Sequence, residues 1–135
     1  MNVKVTMYFK PFKGMSKKQA KMEGGPTDQR GKPLQSLEEF MDGTVSWVSL
    51  SRDDLGGPPG SDSRFTVYGT KVRIPEVEKL MGRDLIEFRL VDTGGHFRGE
   101  GKVVKATGAE PIDLCRTKPL RFARTEGLMT LEFIE

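Results

Sequence analysis

The 135-residue chain suits a single domain whose one core can bury about two-thirds of the unfolded surface. Its 16 Gly and 8 Pro leave few stretches that could hold a long helix, which favours a small β-barrel over a helical bundle. The 22 Lys and Arg are interspersed with 19 Asp and Glu, so the formal charge of +3 lacks the clustered basic stripe of a nucleic-acid binder. A mildly basic surface of this kind fits an anionic polymer such as a cell wall, or no particular partner.

In chain order, Val3, Val5, Met7 and Phe9 alternate with Lys4, Thr6 and Tyr8, which predicts an amphipathic first strand closed by Pro11. This start does not have the charged, apolar and small-residue succession of a secretory leader. Residues 10–35 form a long polar loop containing Glu23-Gly24-Gly25-Pro26 and Asp28-Gln29-Arg30-Gly31, and loops of this length are usually functional or mobile. Glu23 is a candidate cleft carboxylate, although a glutamate beside two glycines is more often solvated. Ser36 and Glu39 have capping-box spacing, predicting a helix over 36–41 whose Leu37, Phe40 and Met41 face the barrel. A strand over 45–51 follows, with Val45 and Trp47 pointing one way and Val48 and Leu50 the other. Either its phase slips or both of its faces are covered. Trp47, the only tryptophan, suits a core position or a platform for a sugar ring.

After Asp53-Asp54, the Gly- and Pro-rich residues 54–64 read as a loop. Strand pieces over 65–68 and 71–74 flank Gly69, and Pro75 opens a helix over 75–81 whose Val77, Leu80 and Met81 share a face ahead of Gly82. Ile86, Phe88 and Leu90 then alternate with Glu87, Arg89 and Val91 up to Asp92-Thr93-Gly94-Gly95, which displays a carboxylate at a strand end. Residues 99–111 form a third loop, with Val103-Val104 a candidate extra strand. Ile112-Asp113-Leu114-Cys115 is strand-like, and Met129, Leu131 and Phe133 mark the last strand. Cys115 is the one cysteine, so no intrachain disulfide forms and a small buried thiol is expected. His96 is the one histidine, which leaves no histidine-rich metal site. No cofactor is expected, and no apolar run approaches the ~18 residues of a membrane-spanning helix.

Taken together, the Ser51-Arg52-Asp53 strand end, Tyr68-Gly69-Thr70-Lys71-Val72-Arg73-Ile74, Val91-Asp92-Thr93-Gly94-Gly95 and Ile112-Asp113-Leu114 occur in an order that resembles the three-aspartate domain. This is the double-psi β-barrel module of the membrane-bound lytic transglycosylase A family and of related phage cell-wall proteins. The resemblance covers residues 45–116, and Val5-Thr6-Met7-Tyr8 looks like the first strand of the same module. The Glu-Gly-Gly-Pro-x-Asp-x-Arg-Gly-x-Pro-Leu segment is similar to one in bacterial and phage relatives, which carries the likeness over nearly the whole chain. Two departures are the longer loop after Asp53 and the 21 positions between Asp92 and Asp113.

The resemblance implies a mainly β fold: a six-stranded double-psi barrel with one or two short helices, spanning residues 1–135 as one domain. It also implies cleavage of the β-1,4 bond between N-acetylmuramic acid and N-acetylglucosamine, with Asp113 as general acid/base and Asp92 as its partner. Asp53, Tyr68, Thr93, the Gly94-Gly95 backbone, Trp47 and Glu23 would meet the glycan. The implied partner is peptidoglycan, together with other tail proteins if the chain belongs to a phage particle, and the implied location is the virion or a surface facing the cell envelope. The competing expectation is a non-catalytic wall-binding or virion structural module on the same barrel.

Overall fold

The computed structural model describes residues 2–11, 16–18, 26–51, 67–92, 110–117 and 127–134. They form a mainly β fold with seven strands: β1 (Asn2–Phe9), β2 (Val48–Ser51), β3 (Thr70–Arg73), β4 (Phe88–Asp92), β5 (Glu110–Arg116), β6 (Gly127–Thr130) and β7 (Glu132–Phe133). Two short helices, α1 (Leu37–Met41) and α2 (Pro75–Met81), pack against them. The strands make one sheet in the order β6-β1-β5-β2-β4-β3-β7. Its two edges, β6 and β7, are consecutive in the chain and separated only by Leu131, so the sheet curls until it nearly closes on itself.

The succession of strand senses is the same on both sides of the antiparallel β2/β5 contact. Each of these strands has a parallel neighbour, β4 beside β2 and β1 beside β5. Each neighbour then has an antiparallel one, β3 beside β4 and β6 beside β1. Antiparallel pairs can be joined by short turns, whereas the parallel pairs require the chain to cross between strands distant in sequence.

Alternation explains the core. Val3 and Val5, Val48 and Leu50, Phe88 and Leu90, and Ile112 and Leu114 point inward, where Val72, Leu131, Leu37 and Val77 complete one apolar cluster. The residues between them point outward. The count of six expected strands becomes seven because the last one breaks at Leu131, which is buried in the core while the ladder partner changes from β1 to β3.

Three other expectations are corrected. Val67 and Tyr68 lie in a turn rather than a strand, because Gly69 takes φ 84° and regular pairing begins at Thr70. The strand expected over 45–51 begins only at Val48, which removes the phase conflict: Trp47 precedes the strand, and all four of its residues are buried. Both faces of β2 are covered, since Ser49 N–H donates to Gln35 O at 2.8 Å while Ser49 Oγ accepts from Gln35 N–H at 2.9 Å. Leu80 is exposed; Val77, Glu78 and Met81 face the barrel instead.

The helices start where the sequence signals placed them. Ser36 Oγ accepts from Glu39 N–H at 3.2 Å and Glu39 Oε1 accepts from Ser36 N–H at 3.0 Å, a complete capping box. Ser36→Ala is expected to lower stability by about 1 kcal/mol, read as a shift of the urea midpoint. A loss below ~0.3 kcal/mol would show that the cap is dispensable. Pro75 opens α2, and Gly82 ends it in the left-handed region at φ 66°.

α1 is locked to the end of β5 by a buried ion pair. The Arg116 guanidinium donates to Glu38 Oε1, and Glu38 Oε2 accepts from Thr117 N–H at 2.7 Å and Thr117 Oγ1 at 3.1 Å. Arg116 is 1% exposed and Glu38 5%.

Candidate functional site

The outward-facing residues at the C-terminal ends of β2 and β4 meet the middle of β5. Ser51 is opposite Asp113 in the antiparallel ladder and opposite Asp92 in the parallel one. A register shift between Leu50 and Ser51 gives β4 one extra residue, Val91, and brings Asp92 level with Ser51. Thr6 of β1 lies on the other side of Asp113. One row therefore crosses four strands: Thr6, Asp113, Ser51, Asp92. The two aspartates are on strands separated by one, so their backbones lie about 9–10 Å apart at this level.

Asp113 faces outward because Ile112 and Leu114 on either side of it fill the core. It is 8% exposed, and its Oδ1 accepts a hydrogen bond from Thr6 Oγ1. Ser51 is buried and Asp92 is half-buried. Tyr8, two residues beyond Thr6, is buried on the same outer face with Cys115, Val91 and Leu34, and Trp47 and Tyr68 pack against this second cluster.

The Tyr8 hydroxyl meets no oxygen or nitrogen partner among the described residues and faces the Cys115 thiol. Burial holds it well above the ordinary tyrosine range, and the negative charges of Asp92 and Asp113 add to the effect. Burial also pushes the Cys115 thiol up to about 12, so it is protonated and unreactive at neutral pH. Tyr8→Phe removes a buried hydroxyl with no oxygen or nitrogen partner among the described residues and is expected to leave stability unchanged or raise it by up to ~1 kcal/mol. Chemical denaturation measures this, and a loss above ~1 kcal/mol would mean that the hydroxyl has a partner.

Two loops are tied to β4 beside the row. Gln29 N–H donates to Val91 O at 3.4 Å and Gly69 N–H to Leu90 O at 2.6 Å, so both loops are tied to the two residues before Asp92. Asp28, 6% exposed, organises the first loop: its Oδ1 accepts from Arg30 N–H at 2.8 Å and Lys32 N–H at 3.0 Å, and its Oδ2 accepts from Tyr68 Oη. Partial burial and this bond push the Tyr68 hydroxyl up to about 12. Arg30 stacks on the Tyr68 ring, with its guanidinium carbon 4.1 Å from the centroid, and Arg89 stacks on Trp47 at 4.7 Å while its Nε donates to Glu87 Oε2 at 2.7 Å.

Of the residues expected from sequence, Asp92, Asp113, Trp47 and Tyr68 therefore come to one face. Asp53, Thr93, Gly94, Gly95 and Glu23 lie outside the described residues, as does His96. Trp47 sits on the outer cluster, outside the main core. Sequence reasoning missed Thr6, Tyr8, Ser51, Asp28, Arg30 and Arg89 as site residues. Asp28-x-Arg30-Gly31 carried a readable turn signature, whereas the roles of Thr6 and Ser51 depend on strand register alone.

Among the described residues no group of three or more His, Cys, Asp or Glu side chains could hold a metal ion, and no helix is long and apolar enough to cross a membrane. A cavity of about 250 Å³ is lined by Asn2, Glu76, Leu128, Met129 and Thr130. Asn2 precedes Thr6 by four residues along β1, roughly 13 Å, so the aspartate row takes no part in it. No known family model, curated protein or solved structure matches the chain.

Proposed function

We propose that this chain is a peptidoglycan lytic transglycosylase built on a double-psi barrel, and that it cleaves the β-1,4 bond between N-acetylmuramic acid and N-acetylglucosamine. The observation that carries this reading is the placing of Asp92 and Asp113 level with Ser51, on one face and on strands separated by one. Backbones about two strand spacings apart leave two carboxyls able to approach to the separation that glycosidic cleavage uses. The symmetric succession of strand senses about β2/β5 supports the double-psi topology.

In this mechanism Asp113 protonates the leaving O4 as the C1–O4 bond breaks. The muramoyl 6-hydroxyl oxygen then bonds to C1, and its proton returns to Asp113, leaving a 1,6-anhydro end without consuming water. Thr6 fixes one oxygen of Asp113 by hydrogen bonding. Asp92, its partner, orients Asp113 electrostatically. The glycan lies along the face bordered by Trp47 and Tyr68, with Asp53, Thr93, Gly94, Gly95 and Glu23 assigned to substrate contact. The working location is a virion tail or another surface facing the cell envelope.

A second reading, a wall-binding or virion structural module, draws on the two arginine-stacked aromatics, which can hold a glycan whether or not it is cut. Purified sacculi separate the two. The enzyme is expected to clear their turbidity and release products with 1,6-anhydro ends detectable by mass. Binding without clearance on several walls would favour the module, and products with reducing ends would favour a hydrolase.

A further inference from the structure

We propose that Arg30, stacked on Tyr68 and held by Asp28, is a carboxylate-recognition subsite that makes this face select acidic glycan strands over neutral ones. The inference rests on the glycan-cleaving reading above and specifies its substrate class.

Three features support it. The platform is built from a buried anchor, since Asp28 fixes the Arg30 backbone through one oxygen and the Tyr68 hydroxyl through the other. Ring and guanidinium are thus ordered relative to each other before any ligand arrives, which limits the entropy lost on binding. Arg30 is exposed, its guanidinium lies over the Tyr68 ring, and among the described residues it makes no ion pair. A planar fork of this kind matches a carboxylate with two parallel hydrogen bonds. Arg89 on Trp47 differs: its Nε is already bonded to Glu87, so this stack offers an apolar and partly neutralised surface.

The position is equally specific. Both loops of the platform are tied to Val91 and Leu90, the residues immediately before Asp92. A fixed cation on this face draws an acidic polymer toward the row. A ligand of fitting chemistry alternates a sugar ring that can stack on Tyr68 with a carboxylate on a short arm, as a muramoyl lactyl group provides once its stem peptide has been removed.

The test compares two glycans of equal length binding to the full chain: peptide-free strands of alternating N-acetylglucosamine and N-acetylmuramic acid, whose lactyl carboxylates are free, and neutral chitin oligosaccharides. Wild type is expected to prefer the acidic strand, with affinity falling as salt rises. Arg30→Gln should weaken the acidic strand about tenfold, as expected for a charged hydrogen-bonded contact, and weaken chitin far less. Arg30→Lys, which keeps the charge but loses the fork, should fall between the two. Tyr68→Phe keeps the stack but frees Asp28, and should cost the acidic strand more than the neutral one.

Equal loss on both glycans, or no loss with Arg30→Gln, would overturn the subsite. If wild type still released anhydro products from sacculi, the transglycosylase reading would survive that result. If wild type neither bound the strands nor cleared sacculi, both would fall. Thermal unfolding of each variant within about 2 °C of wild type shows that the platform, rather than folding, was altered.

Discussion

Asp113→Asn is expected to abolish release of anhydro products from sacculi while leaving stability within about 1 kcal/mol of wild type. The amide keeps the size of the carboxyl and can still accept the Thr6 hydrogen bond through its oxygen, so Ile112 and Leu114 keep their core positions. It cannot donate and recover the proton that glycosidic cleavage requires, and general acid/base groups typically contribute 10²–10⁴-fold. Asp92→Asn should be the milder change, because orientation and charge tuning are graded whereas proton transfer is essential. Product release by each variant, with unfolding midpoints alongside, measures both. Full activity in Asp113→Asn would move the acid/base role to Asp92 and then Glu23.

Glu38→Ala should be among the most destabilising single changes in the described part of the chain, at about 3–5 kcal/mol. It would leave the Arg116 guanidinium buried at 1% exposure without its carboxylate and deprive Thr117 N–H and Oγ1 of their acceptor. Total stability of a domain this size is of order 5–15 kcal/mol, so the variant should sit close to unfolding. Glu38→Leu combined with Arg116→Met should recover a large part of the loss, since two apolar groups leave no uncompensated charge. Urea midpoints for Glu38→Ala and the double variant test this, and a loss under ~1 kcal/mol for Glu38→Ala would mean that the pair contributes little. The pair bears on the site because α1 and the end of β5 fix the strand that carries Asp113.

Local chemistry was legible in the sequence wherever it is closed within a few residues. The Ser36/Glu39 capping box, Pro75 at the start of α2 and Gly82 at its end need only short-range hydrogen bonds and allowed φ values, and each stands where its residues placed it. Alternation likewise announced that Ile86, Phe88 and Leu90 would share one buried face. It failed where a strand ends for a tertiary reason. Nothing in Met129 to Ile134 announces the break at Leu131, because the break arises when the ladder partner changes from β1 to β3.

By itself the sequence determined the mainly β character and the two helices, which follow from local periodicity and turn chemistry. Asp92 and Asp113 were singled out only by the resemblance of their flanking motifs. Only the tertiary structure decided that Asp92 stands level with Asp113, since that alignment depends on one extra residue in β4 and on ladder partners more than 20 positions apart. It also decided that Asp28 and Arg30, far upstream in sequence, are tied to Tyr68 and to the end of β4. Register and loop docking are set by which buried faces fit together, and no short window of residues carries that information.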